Sequence, residues 1–397
     1  MDLGSIIVAA LLSLGLIGTD AVLNAGTVNF DVQVTEDLSK RGFTAPLIDA
    51  MMDNNLKKLI EFRSIVHPPQ VRSTQEKSVV GSVADSLNLK EVTQSFQSDF
   101  GLNPVRLTGS LMQTGKDGQE FRFILAGNSQ HTGEFTIDET SGERPLPAFL
   151  VDVAEEVVSR LEPYAAALYE FKQISRNLVD HPPPPGELKS AHEQFNTYIE
   201  QLVRSEAGRQ DSDVDHAAFH NLLGLAALMM HDPAQAEDGF KMAMMLDPAQ
   251  GVPMINLGLQ YVSQHRFQDA IAMADKALLI RDVRRVPYLV SNAHTVKALA
   301  LWGMNDLHGA SANFLAAVKA YPSSFWAYFY WAELLNSAGN TKDSDMLQAR
   351  AQDNLNTFET YPEVAFMHVQ VLTGADFTLK PIDLQQVRHV SEIYAEK

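Results

Sequence analysis

Two stretches decide the fold: residues 220–248, HNLLGLAALMMHDPAQAEDGFKMAMMLDP, and residues 254–282, MINLGLQYVSQHRFQDAIAMADKALLIRD. Laid over one another they share a frame. Leu223 and Leu257, Gly224 and Gly258, Ala236 and Ala270, and Ala243 and Ala277 each lie 34 residues apart. A fixed period of this length marks a repeated supersecondary unit that stacks on its neighbours. The unit reads as a pair of helices with small residues where they cross, because a larger side chain there would hold the two backbones apart. Leu246-Asp247-Pro248 ends the first unit, since proline cannot continue a helix but readily starts the next.

On these residues the chain resembles the tetratricopeptide repeat (TPR) family. Residues 217–250 match its pattern through Leu223, Gly224, Ala236, Phe240, Ala243 and Pro248, with His220 where tryptophan is usual. Residues 251–284 match through Leu257, Gly258, Tyr261, Ala270 and Ala277, with Ala274 in place of Phe and Asp282 in place of Pro. An insertion at about 283–290 (VRRVPYLV) precedes a third unit, 291–324, that keeps Ala298, Ala310, Phe314, Ala317 and Pro322. A degenerate fourth unit, 325–358, keeps Ala332 and Ala351 and reads as a cap. Helices expected over about 147–177 and 187–208, split by the prolines at 182–185, form a lead-in pair over 147–210. A further helix is expected from Pro362 to Leu372 behind the fourth unit, which carries the solenoid from 211 to 372 and leaves 373–397 as a tail.

Working outward, residues 26–146 read as a small α/β module. VNFDVQV (28–34) alternates and is β-branched, so it is a strand. Thr44-Ala45-Pro46 opens a helix with Leu47, Ile48, Met51, Met52, Leu59 and Ile60 at helical spacing, stopped before His67-Pro68-Pro69. A short strand at 79–83 and a helix at about 89–100 are expected next. Alternation at Val105, Leu107, Gly109 and Leu111, a turn at Asp117-Gly118, alternation at Phe121, Phe123 and Leu125, and Phe135 with Ile137 predict an antiparallel meander. The predicted fold class is therefore α+β: an α/β sandwich with helices on one face of a mostly antiparallel sheet, followed by an all-α TPR-like solenoid.

The chain begins with an uncharged run at 3–19, LGSIIVAALLSLGLIGT, near the lower limit of ~17–25 residues for a membrane span. A cleaved signal would be cut after Ala21 or Ala25 but lacks the usual basic start, and a buried helix of the first domain is a third reading. The expectation is a membrane-targeting segment over 1–25, retained as an anchor, with the rest of the chain periplasmic or extracytoplasmic. The layout of anchor, α/β module and repeats is similar to bacterial membrane-anchored TPR proteins.

Lys+Arg 31 against Asp+Glu 49 leaves a net charge of -18, which argues against nucleic acid as a partner. The absence of cysteine excludes disulfides, thiolate metal sites and a cysteine nucleophile. No P-loop, GxGxxG turn or GxSxG elbow is present, so the protein is read as non-catalytic, with no cofactor and no metal. His216 and His220 stand in the frame HxxxH but lack the Glu of HExxH and a third ligand, and His131 near Ser129 has no orienting acid. The acidic pair Glu155-Glu156 reads as a solvated helix face.

The resemblance implies a concave groove, lined by first helices, that takes a peptide or helix from a protein partner. The lining expected is Asn221, Leu225 and Leu228, then Val252, Ile255, Leu259 and Val262, then Thr295, Leu299 and Trp302, with Trp326 and Phe329 as aromatic anchors. The alternative for the rings is core, between repeats or under the C-terminal helix. TPRs that grip a C-terminal carboxylate carry basic residues where this protein has Asn221, Leu225, Asn256, Asn292 and Val296, so that partner class is not supported. The function expected is an interaction scaffold or adaptor recruiting a protein partner at a membrane. The alternative is a TPR-regulated sensory or enzymatic protein with ligand binding in the α/β module, where Arg106, Arg122, Asp117 and Glu134 are the titratable groups in view.

Overall fold

Among the described residues, four segments with alternating apolar residues and one two-residue strand build a mixed sheet of order β2-β1-β3-β4-β5. Its strands are β1 (Thr27–Val34), β2 (Arg72–Ser73), β3 (Val105–Thr114), β4 (Glu120–Ser129) and β5 (Gly133–Thr140). The computed structural model describes residues 27–60, 64–66, 72–73, 104–114, 120–129, 133–180, 185–206, 212–354 and 361–365. The expected segment 3–19, the strand at 79–83, the helix at 89–100 and the Asp117-Gly118 turn lie outside them.

β1 pairs in parallel with β2 and β3, and β3–β4–β5 is the antiparallel meander read from the sequence. Strand registers bring Val28, Val32, Leu107, Leu111, Phe123, Leu125 and Ile137 to one face, where all are buried. Two helices pack on that face, α2 (Ala45–Ile60) beside β1 and α3 (Leu146–Leu161) beside β4 and β5, after the short helix α1 (Glu36–Lys40). α2 buries Ile48, Met52, Leu56 and Leu59, and α3 buries Phe149, Leu150, Val153 and Val157, both at helical spacing.

The long helix read over 147–177 is two. Glu162 leaves the helical region (φ -139, ψ 68) because the residue before proline is pushed toward extended backbone, and Pro163 starts α4 (Pro163–Asp180). The chain divides into two compact units, one of Met1–Phe62 with Pro69–Tyr169, the other of Arg63–Pro68 with Glu170–Lys397.

In the second unit, α5 (Pro185–Glu206) contacts α6 (Ser212–Met229), the first helix of a stack of hairpins. The hairpins are α6 with α7 (Pro233–Leu246), α8 (Val252–Ser263) with α9 (Phe267–Leu279), α11 (Pro287–Gly303) with α12 (Leu307–Ala320), and α13 (Phe325–Ser337) with α14 (Thr341–Asn354). First helices touch one another along the series, α6 to α8 to α11 to α13, more than second helices do, so the first helices form the inner face of a TPR-like array. The expected insertion at 283–290 is largely helical. It is the end of a one-turn helix, α10 (Arg281–Arg285), followed by the first turn of α11, which proline starts at Pro287.

Small residues at the crossings have the role assigned to them. A Cβ at Gly224 would lie 2.7 Å from the Phe240 ring, so the two helices close only because none is there. Where Ala274 replaces that Phe in the second unit, the space over Gly258 is filled from the next hairpin, and a Cβ would lie 2.9 Å from Val296 Cγ1. Each hairpin turns through one left-handed residue: His231, His265, Asn305 and Gly339. The first two lie 34 positions apart, as do the last two. At each, the next residue's N–H reaches back to the helix, as Asp232 N–H does to Ala227 O (2.9 Å) and Asp306 N–H to Leu301 O (2.9 Å). Asp232 and Asp306 then cap the second helices through Gln235 N–H (3.1 Å) and Gly309 N–H (2.8 Å). The degenerate fourth unit makes the same turn, so the backbone period outlasts the sequence signature.

Candidate functional site

Asn221 on α6 and Asn256 on α8 stand side by side on adjacent first helices, both with zero exposure. Burying two carboxamides is tolerated only if their polar atoms find partners. Asn256 Nδ2 donates to Asn221 Oδ1 (2.9 Å) and to the backbone oxygen of Glu363 (2.8 Å), while its Oδ1 accepts the Ala365 N–H (2.8 Å). Asn221 Nδ2 donates to the same Glu363 oxygen (3.1 Å). Together the pair clasps a backbone carbonyl and the N–H two residues on.

The clasped segment is residues 361–365, Tyr-Pro-Glu-Val-Ala. Of the helix expected from Pro362 to Leu372, residues 362–364 form a turn instead, and 366–372, like the tail at 373–397, lie outside the described residues. The backbone turns, with Val364 N–H on Tyr361 O (3.1 Å), because its carbonyl and amide groups bond to α6 and α8 instead of to a helix of their own. Nor does the segment lie behind the fourth hairpin. The Tyr361 ring packs 4.9 Å from Tyr288 of α11, and Tyr288 in turn meets Tyr321 edge-on at 5.8 Å. Glu363, Val364 and Ala365 are all fully buried.

Glu363 is the unusual member. Its carboxyl Oε1 accepts the Ile65 N–H (3.1 Å). Burial pushes its pKa above the ordinary carboxylate range, against smaller opposing contributions from the Ser64 hydroxyl and nearby backbone N–H groups. Residues 64–66 thus form the other wall at this carboxyl, and nothing in their sequence announced it.

The remaining lining residues fall on the same helices. Leu225, Leu228, Ile255, Leu259 and Trp302 are buried, whereas Trp326 and Phe329 on α13 are half-buried. Trp326 and Phe329 meet edge-on at 6.1 Å, with Phe325 4.8 Å from Trp326, as one aromatic cluster on the first turns of α13. Val252, Val262, Thr295 and Leu299 are buried as well, as are Asn292 and Val296 of α11.

A second polar cluster ties the first two hairpins together. Glu237 of α7 accepts from the Tyr261 hydroxyl (2.8 Å) and pairs with Arg266 (2.9 Å) and Lys241 (2.7 Å), and Arg266 lies 3.8 Å over the Tyr261 ring. Burial raises the Glu237 pKa, but bonds from Lys241 and Tyr261 and the charge of Arg266 outweigh it, leaving the carboxyl below its usual range. This is a structural join that gives the repeat's tyrosine its partner.

Elsewhere the sequence candidates are dispersed. Arg122 pairs with Asp138 at 2.6 Å on the open face of the sheet, both side chains 44% exposed, and Arg106 and Glu134 are exposed on neighbouring strands. Asp117 and His131 lie outside the described residues. His216 and His220 sit on α6, and burial, then the neighbouring His216, pushes the His220 pKa down. Among the described residues, no group of three metal-ligating side chains occurs. Glu156 pairs with Arg160 along α3 at 2.7 Å. No helix among the described residues is long and apolar enough to cross a membrane.

No protein-family model matches the chain, and no curated protein matches its sequence. Among solved structures it is similar to MamA, a TPR-repeat protein, at 14% identity over 42% of this chain and 91% of that one, with a TM-score of 0.33. A MamA fragment from Desulfovibrio magneticus RS-1 matches at 12% identity over 49% and 98%, with a TM-score of 0.33. PilF of Pseudomonas aeruginosa, also a TPR-repeat protein, matches at 15% identity over 59% and 100%, with a TM-score of 0.36.

Proposed function

We propose that the protein is a non-catalytic interaction scaffold whose array receives an extended segment of a protein partner along its first helices, tethered at a membrane by residues 3–19. One observation carries the docking part: the Asn221–Asn256 clasp bonds a backbone carbonyl and a backbone amide, groups that every peptide offers. Such a grip supplies affinity without regard to sequence, and contacts from neighbouring side groups add selection. The half-buried rings of Trp326 and Phe329 are the anchors, since aromatic side chains that bury fully on binding dominate interface energy. The net charge of -18 favours partners whose docking region is flanked by basic residues. The apolar run at 3–19 supports the tether.

The test is the double variant Trp326→Ala, Phe329→Ala in the full-length protein, read by crosslinking to partners in isolated membranes. Loss of the crosslinked species with circular dichroism unchanged is expected. An unaltered crosslinking pattern contradicts the docking surface, and recovery of the same partners by a soluble form lacking residues 1–25 contradicts the tether.

A further inference from the structure

The asparagine clasp of the docking face is already occupied by the protein's own residues 361–365, and their course is that of a ligand. A segment continuing the solenoid would pack on α13 and α14, its neighbours in sequence. This one runs back over the first helices, with Tyr361 at α11 and residues 363–365 at α8 and α6. It is joined to α14 through residues 355–360, so it is an intramolecular partner on a short tether.

Its chemistry also differs from that of a permanent strap. A fixed element is best anchored by apolar side chains, because removing a carboxyl from water opposes docking even when hydrogen bonds are made. Here the central side chain is Glu363, fully buried, with the Ile65 N–H on Oε1. The next two residues, Val364 and Ala365, are an aliphatic and a small side chain, both with zero exposure.

Resting on the docking role argued above, we propose that residues 361–365 are a resident ligand that closes the asparagine clasp, and that a partner enters by replacing them with an acid–aliphatic–small segment of its own. The backbone bonds to Asn221 and Asn256 pass unchanged from one segment to the other. The partner's acidic side chain takes the place of Glu363 beside residues 64–66. A tethered ligand competes at an effective concentration on the order of millimolar, so a free segment of equal quality binds only to the fraction of molecules that are open.

The experiment measures fluorescence anisotropy of a labelled peptide, ETYPEVAFM (the sequence of residues 359–367), against the full-length protein and three variants. Val364→Asp places a charge where the resident segment is fully buried and opens the clasp; Val364→Ser does so more gently. Affinity is expected to rise in the order unaltered protein, Val364→Ser, Val364→Asp, with the last at least about tenfold tighter than the first, as for a clasp open in one molecule in ten or fewer. Adding Asn256→Ala to Val364→Asp removes the binding, and so does a peptide with lysine in place of its central glutamate. Equal affinity for all forms overturns the proposal while leaving the docking role intact. Binding to none, with helical content retained, makes the segment a fixed part of the fold and overturns both.

Discussion

The open face of the sheet and the inner face of the array both present polar side chains, but they handle them differently. On the sheet, Arg122 and Asp138 bond at 2.6 Å while remaining 44% exposed, so water solvates each of them with or without its partner. In the array, Asn221, Asn256 and Glu363 have no exposure and every polar atom of the Asn256 amide is engaged. The same kinds of atoms are therefore replaceable in one place and tightly specified in the other. Burial is what distinguishes a solvated surface from a recognition contact, because only a buried group penalises the wrong occupant.

The largest effect that would test this contrast is expected from Asn256→Ala. It removes the bonds to Asn221, Glu363 O and Ala365 N–H at once and should lower stability by roughly 2–3 kcal/mol, measured by denaturant unfolding. A loss no greater than that of an exposed substitution would erase the difference between the two faces.

Glu363→Gln sharpens the comparison through pH. The folded-state pKa of Glu363 is raised by burial, so the folded protein holds this proton more tightly than the unfolded one does. Its contribution is fully present below the ordinary glutamate range and is lost as pH rises through the folded value. Tyr288 interacts with this carboxyl, and burial pushes the pKa of its hydroxyl up, away from that range. Thermal unfolding should therefore show the native protein losing stability relative to Glu363→Gln as pH rises toward neutrality, and the two converging in acid. Parallel curves would mean that the carboxyl is solvated.

Arg122→Ala should do least. Both members of the pair are exposed, and the measurement expected is an unfolding midpoint indistinguishable from that of the native protein at physiological salt.

The repeat frame was legible because it is written in residues with local consequences: Gly224 under Phe240, and alanines at each crossing. The same holds for the meander, whose alternation fixes which face is buried. What was missed falls into two kinds, local breaks masked by a continuing pattern and features decided by distant partners. The break at Glu162 follows from Pro163 and was available in the sequence, but the apolar pattern running through it suggested one helix. The left-handed turns at His231 and His265 use a residue type that does not announce that conformation. Residues 361–365 have an apolar continuation that fits a helix. Their actual conformation depends on Asn221 and Asn256, 142 and 107 positions away from Glu363. Two adjacent first helices each carrying an asparagine toward the inner face were the one available sign that some backbone must lie across them.

The most direct test of the clasp is amide hydrogen exchange at Ala365 in the full-length native protein, set against the Asn256→Ala variant. The N–H bonded to Asn256 Oδ1 should be protected well above an unstructured amide, and should lose that protection in the variant while the amides of α8 keep theirs. An Ala365 amide that exchanges at the unstructured rate in the native protein, or at the same protected rate in both, would contradict a peptide segment held by the asparagines of the array.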